Sequence, residues 1–345
     1  MANPTTMSLR SSPNSRWQTC NKMQYRDFGT TGLKISELVF GGGAVGGLLI
    51  TQDDDVKRQA ITRALESGIN WIDTAPSYGQ GKSEEALGWL LQDIEEPPYI
   101  STKFTIDTRN PDIYGQIEQS LNQSLQRLKR QKVTLLQLHN RIGMQTDKRT
   151  IGISEVLKPH GVLDILDTFK SQGMIDHYGI TALGDTAAIT RVIKSNRIAS
   201  AQVYFNLLNP SAALTPPPSW PYYNFTGIVD TCFEHGVAPM NIRVLSAGVL
   251  ATQTRHGREM PLTPGDTVES ETAKAKFMFE QLGVSDGTHA QTAIRFALAQ
   301  PRLACVIVGL AELSHLNEAI VAAEMGPLPK EAMVRISAAY ADYQA

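Results

Sequence analysis

From residue 38 onward the chain alternates short apolar runs with stretches in which apolar residues recur every third or fourth position. The runs fall at 38–40, 70–73, 99–103, 133–139, 177–181, 200–205, 237–242 and 304–308, short and closely flanked by polar or turn residues, as buried strands are. Between them Val56, Ala60, Ile61, Ala64 and Leu65 repeat at helical spacing, as do Ile113, Ile117, Leu121, Leu125 and Leu128 behind Pro111, a residue suited to a first helical turn. Val162, Ile165, Leu166 and Phe169 form a third stripe, and Leu313, Leu316 and Ile320 a fourth. These stripes build the scaffold and do no chemistry. Strands alternating with helices predict parallel pairing, because a parallel neighbour is reached only by a crossover. Eight such strands exceed the roughly five or six of doubly wound open sheets, so the expected fold is α/β, a closed (β/α)8 TIM barrel. Residues 25–35, two short extended pieces around Thr30-Thr31-Gly32, read as an N-terminal hairpin capping one end, and a C-terminal helical extension follows the last strand.

Among the turn residues, Gly41-Gly42-Gly43-Ala44-Val45-Gly46 matches G-x-G-x-x-G after a strand, and Asp73 ends the next strand where a ribose-binding acid would sit. That pattern suggests a dinucleotide-binding sheet, but the fingerprint works only when a helix opens within the glycines and aims its amides at a pyrophosphate. Here the loop runs on through Gly47-Leu48-Leu49-Ile50 before Thr51 or Asp53 can cap a helix. Gly42 and Gly43 are better read as letting backbone approach a ligand at the mouth of the first strand.

Composition places this barrel in a setting. With 345 residues and 42% of them hydrophobic, the chain can bury a sizeable core, and parallel barrels run to about 250 residues as one unit. We therefore expect a single barrel domain over 23–345. Residues 1–22 hold Arg10, Arg16 and Lys22, several Ser and Thr, and no acid; this composition fits a disordered tail or a transit segment, and it lacks the apolar stretch of a secretion signal. A formal charge of -2 with mixed signs provides no basic field for nucleic acid, and no apolar run approaches the ~20 residues that span a bilayer. Cys20, Cys232 and Cys305 lie far apart with no C-x-x-C pairing, which argues against a disulfide framework or zinc site and points to the cytoplasm.

In a parallel barrel the active groups project from the carboxyl ends of strands. Three consecutive strands end in ionisable residues: Trp71-Ile72-Asp73, then Ile100-Ser101-Thr102-Lys103, then Leu135-Leu136-Gln137-Leu138-His139, with Tyr78 five residues past Asp73. Singly, each has a bland reading as cap, solvated charge, core histidine or packing aromatic; together they converge. A phenol with a pKa near 10 is a weak acid at neutral pH unless a cation favours its anion, and Lys103 can supply that cation while Asp73 orients it. His139 can donate a hydrogen bond to a substrate oxygen. The set offers a proton donor and an oxyanion stabiliser with no nucleophile–base pair and only one acid, which suits carbonyl reduction and not hydrolysis. Two other readings stand beside it: an aldolase using Lys103 as a Schiff-base nucleophile, and a metal-dependent hydrolase, for which only His139 and Asp73 sit at the mouth.

Residues 23–343 resemble the aldo-keto reductase family, through the 25–35 segment, Ile72-Asp73-Thr74-Ala75-Pro76-Ser77-Tyr78-Gly79, Ser101-Thr102-Lys103 and Leu136-Gln137-Leu138-His139. The resemblance implies a barrel that binds NAD(P)(H) across its mouth, with Tyr78 as proton donor, Lys103 and Asp73 tuning it, and His139 orienting the carbonyl. It implies a small-molecule carbonyl or alcohol substrate, no metal, and a monomer or small homo-oligomer. Further matches place the cofactor. Gln202, in a segment that includes Phe205, sits where the family contacts the nicotinamide carboxamide; Thr181 stands at the family's serine, though the usual Ser-Asn pair reads Thr181-Ala182 here. Arg243-Val244-Leu245-Ser246-Ala247-Gly248 resembles the loop that wraps the pyrophosphate. At the adenosine end, Gly309 and His315 replace the cations that hold a 2′-phosphate in many members, while Glu312 could accept from a free ribose hydroxyl and Glu318 lies on the same stretch. NAD(H) use is thus open, with NADP(H) favoured on family habit and Arg255 or Arg258 as replacement charges. The loops 140–161 and 206–225 should select substrate, the second through an aromatic wall of Trp220, Tyr222, Tyr223 and Phe225 stiffened by Pro216-Pro217-Pro218. An alternative within the same resemblance is a slow redox-sensing module that keeps its nicotinamide.

Overall fold

Alternation along the apolar runs decides which way each strand faces. The computed structural model describes residues 23–342 except 44–45, 219, 221, 253–258, 264 and 284–286; the tail 1–22 with Cys20, and Arg255 and Arg258, lie outside the described residues. The hairpin strands are β1 (Tyr25–Asp27) and β2 (Lys34–Ser36), followed by β3 (Leu38–Gly41), β4 (Trp71–Asp73), β5 (Tyr99–Phe104) and β6 (Val133–Leu138). Then come β7 (Arg141–Gly143), β8 (Thr150–Gly152), β9 (Ile175–Ala182), β10 (Ser200–Tyr204), β11 (Ala238–Ile242) and β12 (Cys305–Gly309). Strands β3, β4, β5, β6, β9, β10, β11 and β12 pair in parallel and in that order, and β12 returns to β3 to close the barrel. All eight expected strands are present, with ends shifted by one or two residues.

Because successive side chains on a strand face opposite ways, the barrel has two cores. Val39, Trp71, Leu135, Met240 and Ile307 fill the interior, while Phe40, Ile72, Leu136, Ile180 and Val203 pack outward with the helical stripes, including Ile117, Leu121, Leu166 and Phe169. The hairpin plugs the amino end: Phe28 and Ile35 join the interior cluster, and the Phe28 ring lies 4.7 Å from that of Trp71. Arg26 fastens it by donating to the carbonyls of Leu298, Gln300 and Leu303. Buried Asn70 fastens the other side, its amide donating to Lys34 O at 2.9 Å and its Oδ1 accepting from Ser36 N at 2.8 Å. Helices Leu313–Met325 and Lys330–Asp342 follow β12 as the expected extension.

Two stretches expected as loop are more ordered. Residues 48–51 form one helical turn, Leu48–Thr51, opened by left-handed Gly47. Gly46 just before it packs against β12's exit, where any Cβ would sit 2.2 Å from the Leu310 carbonyl oxygen, so the last glycine of the motif serves packing and not a phosphate. The segment 140–161 contains β7, β8 and the helix Ile153–Leu157, because Ile142 and Ile151 are fully buried and need backbone partners. Asn70→Ala should cost about 2–3 kcal/mol in urea unfolding with an unchanged far-ultraviolet spectrum, since it orphans a buried amide. A loss under about 0.5 kcal/mol would show that Asn70 does not clamp the plug.

Candidate active site

Register brings the charged strand ends together. Asp73 on β4 lies beside Ser101 on β5, and Lys103, two residues on, faces the same way. The Asp73 carboxylate is saturated: Oδ1 accepts from Ser101 Oγ at 2.6 Å and from Gln202 Nε2 at 2.8 Å, and Oδ2 accepts from Lys103 Nζ at 2.6 Å. Lys103 Nζ also donates to Thr74 O at 2.8 Å and to the Tyr78 hydroxyl at 3.1 Å. Tyr78 reaches this point because the chain past β4 folds tightly back, with Thr74 N bonded to Ser101 O and Tyr78 N to Ala75 O. His139 follows β6 directly, its ring 6.4 Å from that of Tyr78 and edge-on to it. The four candidate catalytic side chains thus meet at one end of the barrel.

Lys103 and Asp73 are almost completely buried. Burial works against the lysine's charge, but the Asp73 carboxylate and the Tyr78 oxygen outweigh it, and the ammonium's pKa is raised above the ordinary lysine value. All three of its protons have acceptors, leaving no free amine of the kind that forms a Schiff base. His139 goes the other way: burial, then the charges of Lys103 and Arg243, push its pKa down to about 3. It is a neutral imidazole at physiological pH, and its ring nitrogens have no hydrogen-bond partner among the described residues. Among those residues, no three His, Cys, Asp or Glu side chains are grouped to hold a metal ion.

The candidate cofactor residues divide. Gln202, expected at a carboxamide, lies inside the barrel with Nε2 committed to Asp73. Thr181, its register neighbour on β9, keeps a buried hydroxyl with no partner among the described residues, a group that a bound amide would satisfy. Gly43 faces the Tyr78 ring, with which a Cβ there would be in ordinary contact at 3.9 Å, whereas Gly42 donates its amide to Asp73 O and would clash with Ser83 if substituted. The Arg243-to-Gly248 stretch is a tight loop: Arg243, Ser246 and Ala247 have left-handed backbones at φ 63°, 45° and 51°, a strain that collects at ligand sites. Asn206 Nδ2 holds its start through Arg243 O at 2.7 Å; Val244 is buried, Leu245 half-buried, and Ser246 Oγ donates toward Glu271. These features fit a nicotinamide over Tyr78 and a pyrophosphate beside the loop.

One assignment is corrected, and two further candidates have partners within the scaffold. Phe205 stacks on Phe296 in the outer core at 5.0 Å and does not face the mouth, because it follows strand residues whose alternation turns it outward. Glu318 accepts from the Thr288 hydroxyl that caps the helix His289–Leu298, so its carboxylate is tied to the scaffold. Gly42 is a packing glycine. Gly309 and His315 are exposed, and Arg63 reaches the helix Leu313–Met325 by donating to Asn317 Oδ1 at 3.0 Å. Sequence reasoning missed Ser101 and Gln202 as clamps on Asp73; only the inward parity of Ser101 with Lys103 could have signalled the first.

The aldo/keto reductase family profile matches residues 37–341. Among curated proteins the chain is 26% identical to an uncharacterized oxidoreductase, YqkF of Bacillus subtilis, covering 90% of this chain and 94% of that one. It is 25% identical to the L-galactose dehydrogenase of Arabidopsis thaliana over 87% and 88% of the respective chains. The holo form of the aldo-keto reductase AKR11C1 from Bacillus halodurans superposes with a TM-score of 0.70 at 23% identity, over 92% of this chain and 96% of that one.

The depressed His139 pKa has a signed consequence for stability. The unfolded chain, with a histidine pKa near 6.5, takes up a proton that the folded site refuses until about pH 3, so acidification through that window favours unfolding. Between pH 7 and pH 5 the wild type should lose roughly 2 kcal/mol more than His139→Gln, measured by urea denaturation at each pH. Parallel pH profiles would show that the imidazole is not held neutral.

Proposed function

Because the chain belongs to the aldo/keto reductase family, we propose that it is an NAD(P)(H)-dependent oxidoreductase interconverting a carbonyl and its alcohol, with Tyr78 as proton donor in reduction and acceptor in oxidation. The observation that carries this reading is the single lysine nitrogen shared by Asp73 Oδ2 and the Tyr78 hydroxyl. A positive charge 3.1 Å from the phenol oxygen favours the phenolate left after proton transfer, and so lowers the barrier to giving that proton up. Asp73, clamped by Ser101 and Gln202, keeps the ammonium charged and aimed. Neutral His139 donates a hydrogen bond to the same carbonyl oxygen and so orients it and stabilises its developing charge.

When bound, the nicotinamide supplies or accepts the hydride at the carbonyl carbon. Thr181 would hold its carboxamide and the Arg243-to-Gly248 loop its pyrophosphate, on the buried hydroxyl and strained backbone described above. In reduction Tyr78 gives its hydroxyl proton to the carbonyl oxygen, and the tyrosine is reprotonated from solvent. Between cofactors we favour NADP(H): Gly309 and His315 provide little for a 2′-phosphate, but Arg63 stands beside Asn317 on the helix that follows. Aldehydes, ketones and aldoses all belong in the substrate panel, the last because a relative is a sugar dehydrogenase.

Tyr78→Phe should lower turnover roughly 10² to 10⁴-fold in a carbonyl and alcohol panel followed by nicotinamide absorbance, with the dissociation constant of NADPH within about twofold. Undiminished turnover in that variant would remove the assignment. The same panel separates the alternative, since a redox sensor would hold reduced nicotinamide without consuming it, and NADH outperforming NADPH in kcat/KM would reverse the cofactor preference.

A further inference from the structure

Two arginines flank the mouth, with no carboxylate attached to either among the described residues. Arg243, at the carboxyl end of β11, lies over the Tyr204 ring at 5.1 Å, and its guanidinium has no hydrogen bond or ion pair among the described residues. Arg141, at the start of β7 and two residues past His139, lies over the Tyr223 ring at 5.2 Å and donates to the Tyr223 hydroxyl at 3.1 Å. Phe225 links the two tyrosines, with ring separations of 5.9 Å to Tyr204 and 5.8 Å to Tyr223, so a single aromatic cluster supports both cations. The two acids whose charge reaches these arginines, Glu271 and Asp147, each bind backbone amides. Glu271 Oε1 accepts the amides of Leu262 and Thr263, and Asp147 Oδ1 accepts those of Arg149 and Thr150.

Arg243 is half-buried, and a guanidinium drawn partly out of water with only a ring beneath it recovers less than it loses in hydration. Burial, and after it the repulsion of Arg141, pull the Arg243 pKa below the ordinary arginine value even though the nearby Tyr204 oxygen opposes this. The field of Arg243 also reaches His139, which places the charge close to where a carbonyl would sit. An anion between the two arginines relieves both penalties. Tyr223, accepting from Arg141, keeps its own hydroxyl proton to donate to such an anion.

We propose that Arg141, Arg243 and the Tyr223 hydroxyl form a subsite for a carboxylate borne by the substrate, so that the preferred carbonyl compounds are acidic ones. This rests on the oxidoreductase reading above. The other source of an anion here is a cofactor phosphate. Arg141 favours the substrate, because it follows His139 by two residues and holds the aromatic segment that follows β10.

The test pairs 4-carboxybenzaldehyde with its methyl ester, which keeps the shape and removes the charge. Wild type should show at least about a tenfold higher kcat/KM for the acid, and Arg141→Gln should lose about tenfold or more on the acid while staying within about threefold on the ester. Arg141→Lys, which retains charge without the fork, should recover part of the preference, and the NADPH dissociation constant of each variant should stay within about twofold. Equal losses on acid and ester, no acid preference in wild type, or weakened NADPH binding would each overturn the subsite, the last by assigning Arg141 to the cofactor. Calorimetric titration of benzoate into the protein with NADP⁺ reads the subsite without turnover. Binding that Arg141→Gln weakens tenfold, with neither aldehyde reduced, would sink the oxidoreductase reading and leave the subsite standing; absence of benzoate binding would sink the subsite.

Discussion

A lysine ammonium, hidden from water at the open end of the barrel and bonded at once to a carboxylate, a carbonyl and a phenol, is the constraint around which this molecule is arranged. Placing both charges of such a pair in the interior is unfavourable unless every hydrogen bond is made, and removing one partner costs about 3–5 kcal/mol, so the pair is poor evidence of a stability device. Its value is directional. With each proton on Nζ assigned to an acceptor, the charge cannot drift from the Tyr78 oxygen, and with both Asp73 oxygens occupied, the carboxylate cannot rotate away.

The barrel supplies this arrangement from separate elements. Asp73 comes from β4, Ser101 and Lys103 from β5, Gln202 from β10 across the interior, and Tyr78 from the turn after β4. Parallel strands in fixed register put these groups at one height, and the period of two divides each strand between inward chemistry and outward packing. The opposite end is closed by the hairpin, whose Phe28 and Ile35 complete an apolar interior beneath the polar layer. Stability and chemistry therefore occupy opposite ends of the same barrel, as the fold generally allows.

At the mouth, irregular chain is held by side-chain to backbone bonds where no ladder is available. Asn206 Oδ1 accepts the amides of Leu208 and Asn209, while Asn209 and Ser211 both donate to Tyr223 O. These turns set the aromatic segment against the strand ends, so that Tyr223 can meet Arg141 from the neighbouring loop. Two loops far apart in sequence thus share one wall.

The strand and helix content, the closed parallel barrel and the convergence of Asp73, Tyr78, Lys103 and His139 were legible in the amino-acid sequence, because they rest on local periodicity and on the order of residues at strand ends. Periodicity reports which face of an element is buried, and in a parallel barrel that suffices to place strand-end groups together. What only the tertiary structure decided were contacts between elements: Gln202 Nε2 bonded to Asp73, Phe205 stacked away on Phe296, Glu318 drawn into a helix cap, and the 140–161 segment ordered by burying Ile142 and Ile151. Those outcomes depend on which partner a polar or aromatic side chain meets once the barrel has closed, and pairing across 30 to 129 positions leaves no local mark in the chain.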